Sequence, residues 1–176
     1  MTKEQSAAQK LINNLKSSEV YIEWANAHPN NICSHLFVQI NPDYVAISHW
    51  DIGFFDQDTK KVTVFSLNDA GSFEIKQTDD VFATKTGKVE ELKATKDTLD
   101  FPSIIPFATK TIQADFKSVE NLRGNGFAIL QTIKGETIWN ISFITKQLTF
   151  LNLKLNAQTG EKITTSNESA IVKDQK

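Results

Sequence analysis

The sequence predicts an α+β protein made of two tandem modules, each a helix followed by an antiparallel sheet, packed as one compact unit. Three observations lead there. Near the start, Ala8, Leu11, Ile12 and Leu15 recur at helical spacing and form one apolar stripe. From residue 32 the period changes to two, as a strand requires. The alternating triplet Trp-x-Ile-x-Phe then occurs twice, at Trp50, Ile52 and Phe54 and again at Trp139, Ile141 and Phe143.

The first helix spans residues 3–16. It either continues through SSEVYIEWANAH, burying Tyr21, Ile22 and Trp24, or gives way to a short second helix capped by Ser17 or Ser18. Pro29 stops it in both cases. In ICSHLFVQI, Leu36, Val38 and Ile40 alternate with His35, Phe37 and Gln39, and Asn-Pro-Asp at 41–43 turns the chain. A second strand is expected across YVAISHWDIGFF, with Tyr44, Ala46, Ser48, Trp50, Ile52 and Phe54 on one face. DQDTK makes the next turn and KVTVFSL the third strand.

Residues 68–100 are less patterned. NDAGSFEIKQTDD reads as a turn and a strand with Phe73 and Ile75 inward. The polar connector after it holds a short helical turn capped by Asp79 or Asp80. A helix then begins at Pro102, or nearer Ile105 because Pro106 cannot donate a hydrogen bond. Ile105, Ala108, Ile112 and Phe116 form its stripe. Arg-Gly-Asn-Gly at 123–126 breaks the chain before FAILQTI, TIWNISFI and LTFLNLKLNA. Lys134-Gly135 forms the first hairpin turn of this set, and EKITT a last short strand.

Aligning the two triplets suggests a duplication. Thr59-Lys60 then matches Thr145-Lys146, with a longer first turn, and Thr63, Phe65 and Leu67 fall against Thr149, Leu151 and Leu153. The units are residues 1–99, an N-terminal αβ module, and residues 100–166, a C-terminal one. Residues 167–176 form a polar tail expected to fray.

The second copy ends in Asn156-Ala157-Gln158-Thr159-Gly160-Glu161. Gly160 falls where the turn needs positive φ, and Thr159 can bond locally to support it. Together with the aromatic-rich strand before it, this motif resembles the PepSY domain, whose counterpart reads like Asp-Ala-x-Thr-Gly-Glu. The likeness covers residues 101–165. Asn156 replaces the usual acid, and the first copy offers only the Trp strand and a poor turn, NDAGSF. The resemblance implies a non-catalytic module, exported or membrane-anchored, that inhibits or regulates proteases.

Composition excludes several other classes. A net charge of −2 and a pI near 5.9 argue against nucleic-acid binding, which needs a basic face. Apolar runs of a few residues fall far short of the roughly 20 a membrane helix needs. The start of the chain shows no apolar leader, and the single cysteine, Cys33, fits a reducing compartment. Both point to the cytoplasm for the chain as given, or to export if a natural leader was removed.

The chemistry-bearing residues are few. Cys33, His35 and His49, with His28 as an added ligand, are the one set suited to zinc or to a thiolate nucleophile. In an extended strand Cys33 and His35 share a face, with His49 opposite across a hairpin. A small buried thiol beside edge-strand histidines accounts for them more simply. Asp56-Gln57-Asp58 matches the opening of a calcium loop but lacks its later Gly and Glu, so it reads as a hairpin tip. Gly124-Asn125-Gly126 precedes a strand and reads as a turn rather than a phosphate cradle. Asn140 and Asn167 head glycosylation sequons, chance matches without a secretory route. Asp79-Asp80 and Glu90-Glu91 are adjacent pairs whose side chains diverge.

No catalytic, metal or cofactor residue is therefore assigned. The expectation is a non-catalytic binding or regulatory module working through protein contact on a sheet face or edge. The alternatives are a small-ligand carrier with a cavity between helix and sheet, and a small hydrolase using Cys33 and His35. Phe54, Phe55, Phe65, Phe127, Phe143 and Phe150 exceed what one layer can hold. Packing between the halves is the expected use of the surplus, before an exposed binding surface.

Overall fold

The computed structural model describes residues 4–80, 88–118 and 123–169. Helix α1 (Ala7–Lys16) opens with a capping box. Ser6 Oγ accepts from the Gln9 N–H at 3.3 Å, and Gln9 Oε1 accepts from the Ser6 N–H at 3.0 Å. Ser18 caps a separate helix, α2 (Glu19–Ala27), so the chain breaks between the two serines.

Strands β1 (Asn31–Ile40), β2 (Asp51–Asp56), β3 (Lys61–Leu67) and β4 (Phe73–Asp80) follow. Next come α3 (Phe101–Asp115) and strands β5 (Arg123–Ile133), β6 (Glu136–Thr145), β7 (Thr149–Asn156) and β8 (Lys162–Ser169). All eight strands form one antiparallel sheet in the order β4-β3-β2-β1-β5-β6-β7-β8. The fold is α+β, with sheet predominating.

The helices cover one face. Leu15 from α1 and Ile104, Ala108 and Ile112 from α3 are buried among Val38, Ile52, Phe54, Phe65, Leu130, Ile141, Phe143 and Leu151. Their burial supplies the main driving force for the layer, about 1.5–3 kcal/mol for each large side chain. Trp139 is 2% exposed, and its indole N–H donates to the Leu99 carbonyl at 2.9 Å. This bond ties the 88–100 segment to β6. The same segment is held at Cys33, where the Leu92 N–H donates to the carbonyl, and at Thr132, whose hydroxyl accepts from the Lys93 N–H.

The turns follow local chemistry. Lys134 and Gly135 both have positive φ, the geometry of a tight two-residue hairpin. In the β7–β8 turn, Asn156 Oδ1 accepts from the N–H groups of Gln158 and Thr159 at 2.8 and 2.9 Å, and Gly160 sits at φ 75°. Thr159 Oγ1 accepts from the Glu161 N–H at 3.2 Å.

Several expectations need correction, among them the burial of Ile22, which is 49% exposed. The second strand begins at Asp51, not Tyr44: Asn41 Oδ1 accepts from the N–H groups of Asp43 and Val45 and curls residues 41–45 into a turn. Ile75 is 44% exposed, because β4 lies at the sheet edge. Helix α3 starts at Phe101 under an Asp100 cap and accepts Pro106 inside, forfeiting one backbone bond. Residues 123–126 are the first part of β5 rather than a break, with an irregular register between Arg123 and Gly126. Strand β8 runs to Ser169, into the expected tail.

The strands after the triplets also align two residues further along than the sequence alignment expects. Phe54 lies opposite Thr63 and Phe143 opposite Leu151, so Phe65 corresponds to Leu153 and the first turn is longer by one residue. The helical turn expected after Asp80 and the end of the tail lie outside the described residues.

Candidate functional site

The face of the sheet away from the helices carries the surplus aromatics. Phe55 is 8% exposed there, while Phe37 and Phe127, on neighbouring strands β1 and β5, are half-buried and stacked at 5.8 Å with 25° between planes. Phe150 stands near the end of the same face, paired with Ile144. The excess phenylalanines therefore occupy the helix-free face, whereas the expectation was packing between the halves. Sequence parity distinguishes Phe54 from Phe55 but cannot say that the described residues place no second layer over the latter.

The proposed soft-ligand set does not converge. A β-bulge lies between Cys33 and His35, where Cys33 pairs with Phe54 but His35 with Gly53. The extra residue, Ser34, reverses the parity. Cys33 therefore points into the helix-covered core and His35 to the opposite face. Burial pushes the Cys33 thiol up to about 12, so it stays protonated and a poor nucleophile at neutral pH. His35 lies over Gly53, where a Cβ would collide with the imidazole ring, and its Nδ1 is 2.9 Å from Ser34 Oγ. Burial lowers the His35 pKa, with the nearby Asp51 charge acting in opposition. His49 lies elsewhere, 2.9 Å from Asp69, and among the described residues no three His, Cys, Asp or Glu side chains are placed to hold a metal.

His28 has a structural partner. Its Nδ1 lies 2.7 Å from Asp56 Oδ2, which also accepts from Thr59 Oγ1, while Asp56 Oδ1 accepts from the Asp58 N–H. The His28 bond, followed by the Asp58 N–H, lowers the Asp56 pKa to about 2. Trp24 stacks on the His28 ring at 4.5 Å. The acidic run 56–58 thus anchors the end of α2 to the β2–β3 hairpin.

One polar cleft was not foreseen. It lies between the β1–β2 loop and the β3–β4 turn and has a volume of about 360 Å³. Its wall is a cross-strand row, Asp51, Ser66 and Glu74, with Lys76 beside it; His49 and Asp69 link the two loops at its rim. The Asp51 side chain is 8% exposed, and its Oδ2 accepts from Lys76 Nζ at 2.9 Å. Its Oδ1 is buried and has no hydrogen-bond partner among the described residues. The sequence held one signal for this site, an aspartate at the start of an apolar strand.

No helix among the described residues is long and apolar enough to cross a membrane. No family model matches the chain, and no curated protein matches it. Among solved structures it is similar to the crystal structure of a "putative lipoprotein" from Clostridium difficile 630, at 10% identity and a TM-score of 0.48, covering 84% of this chain and 89% of that one.

Proposed function

We propose that this chain is a non-catalytic binding or regulatory module that acts through protein contact, with the helix-free face of its sheet as the contact surface. The observation that carries this reading is the half-buried Phe37–Phe127 stack on the two central strands. Aromatic area left open in the middle of a sheet face is a common mark of an interface.

The tandem-module reading belongs with it and is supported by register. Leu36 lies opposite Ile52 as Ala128 lies opposite Ile141, so equivalence of the triplets makes Leu36 match Ala128 and Val38 match Leu130. The β1–β5 ladder pairs Leu36 with Leu130 and Val38 with Ala128. Exchanging the two copies therefore leaves the ladder unchanged, with the Phe37–Ile129 pair on the local two-fold axis. Two unrelated hairpin sets have no reason to meet in that register.

The β7–β8 turn supports the PepSY-like reading of the second copy. Gly160 has the positive φ the motif needs, and Asn156 accepts two backbone N–H bonds in the role the family's acid would fill. That likeness makes a protease the first partner to try.

The test is a pull-down from the native host, comparing the wild type with a Phe37→Ser/Phe127→Ser double variant and reading proteins and small molecules by mass spectrometry. One stoichiometric protein, lost with a folded double variant, is the expected result. A protein retained equally by both overturns the assignment of the face. A bound small molecule without a protein would replace this reading with the carrier.

A further inference from the structure

We propose that the cleft at Asp51 is a binding site for a small aliphatic diamine in its dicationic form. This site adjoins the Phe37–Phe127 surface, because Phe37 pairs with Asp51 across the β1–β2 ladder, but the argument for it does not rest on that surface.

The argument starts from one atom. Asp51 Oδ1 is a buried carboxylate oxygen without a partner among the described residues, on a side chain only 8% exposed. Folding removes such an acceptor from water at a cost, and native proteins generally fill it with a donor. The other oxygen shows which donor suits this place, since Lys76 reaches Oδ2 from the edge strand β4, across β3, with a primary ammonium at 2.9 Å.

Charge then fixes the class of ligand. The lining holds three carboxylates, Asp51, Asp69 and Glu74, against one ammonium, Lys76, and one imidazole, His49, which is bonded to Asp69. The two negative charges in excess match a dication. A divalent metal fits poorly, because Lys76 already occupies one Asp51 oxygen and the acids do not converge on a point. A flexible diamine can set one ammonium on Asp51 Oδ1 and leave the other near Asp69 and Glu74 at the rim. The hydroxyl of Ser66, next to Asp51 in the cross-strand row, offers a further acceptor.

Titration calorimetry with putrescine tests this, with 1,4-butanediol as the neutral control of equal length, at about 0.15 M salt so that loose surface attraction is screened. Saturable 1:1 binding of putrescine is expected, with none for the diol. Asp51→Asn should weaken it about tenfold or more, because it neutralises the buried acceptor group. If that variant does not fold, Glu74→Gln on the exposed edge carries the test, with a loss of about threefold expected for a rim charge. No saturable binding up to about 10 mM putrescine overturns the proposal. So does affinity unchanged in whichever variants fold, or equal binding of the diol.

Discussion

Trp50 and Trp139 meet edge to face, 6.0 Å between ring centroids and 66° between planes, and Phe101 packs against both. The two equivalent positions of the repeated triplet thus touch each other. Their burial differs: Trp139 is nearly closed off and hydrogen-bonded to Leu99, whereas Trp50 is only half-buried. This asymmetry gives the first prediction.

Trp139→Ala is expected to cost about 3–5 kcal/mol, as truncation of a large core aromatic does. Trp50→Ala should cost less. Trp139→Phe should cost at least the roughly 1 kcal/mol of the lost hydrogen bond. Urea unfolding of the three variants checks the order. A Trp139→Ala loss below about 1 kcal/mol would remove this residue from the core.

Cys33 should be silent in the folded protein. Its thiol pKa is raised from 9.0 to about 12 by burial. The stability this contributes is full below pH 9 and is lost as pH rises through 12. A thiol reagent at pH 8 is expected to label the unfolded chain at once and the native chain only at the rate of opening. Rapid stoichiometric labelling of native protein would contradict the core placement.

Asp56 runs the other way. With its pKa lowered from 3.8 to about 2, its contribution is complete above pH 3.8 and disappears as pH falls through 2. Asp56→Asn should destabilise the chain by about 1.5–3 kcal/mol at pH 7, because a buried bond to charge is lost at His28. The penalty should shrink between pH 4 and pH 2. A penalty that does not vary across that range would mean the carboxylate charge plays no part.

Gly160→Ala combines two costs. A side chain at φ 75° costs about 1–2 kcal/mol, and its Cβ would press into the Phe107 ring. Gly160→Ala/Phe107→Ala should relieve the second cost and leave the first. Thermal unfolding of the single variants and the pair separates them. Additive losses would show that the ring and the turn do not interact.

Much of the fold is legible because periodicity reports burial directly. The α1 stripe, the strand pattern of Leu36, Val38 and Ile40, the Lys134-Gly135 turn and Gly160 each follow from local chemistry. The misses come from interactions that periodicity does not encode. Residues 44–50 alternate like a strand, yet the Asn41 side chain curls residues 41–45 into a turn and the second strand starts only at Asp51. One bulge at Ser34 separates Cys33 from His35, although their spacing puts them together on any regular strand. The Asp51 cleft is assembled from β2, β3, β4 and two connections, and no short window of sequence contains it.

The strand order carries a consequence for how the molecule assembles. Every neighbour in the sheet is also a neighbour in the chain, except β1 and β5. Six ladders can zip through nearby turns and connections, but the seventh joins Phe37 to Ile129, roughly ninety residues away, and must wait for a large loop to close. That seam should govern the folding rate. Placing new termini in the connector between β4 and α3 and linking the old ones would leave both local runs whole, and would make the closing of that one ladder the event that kinetics report.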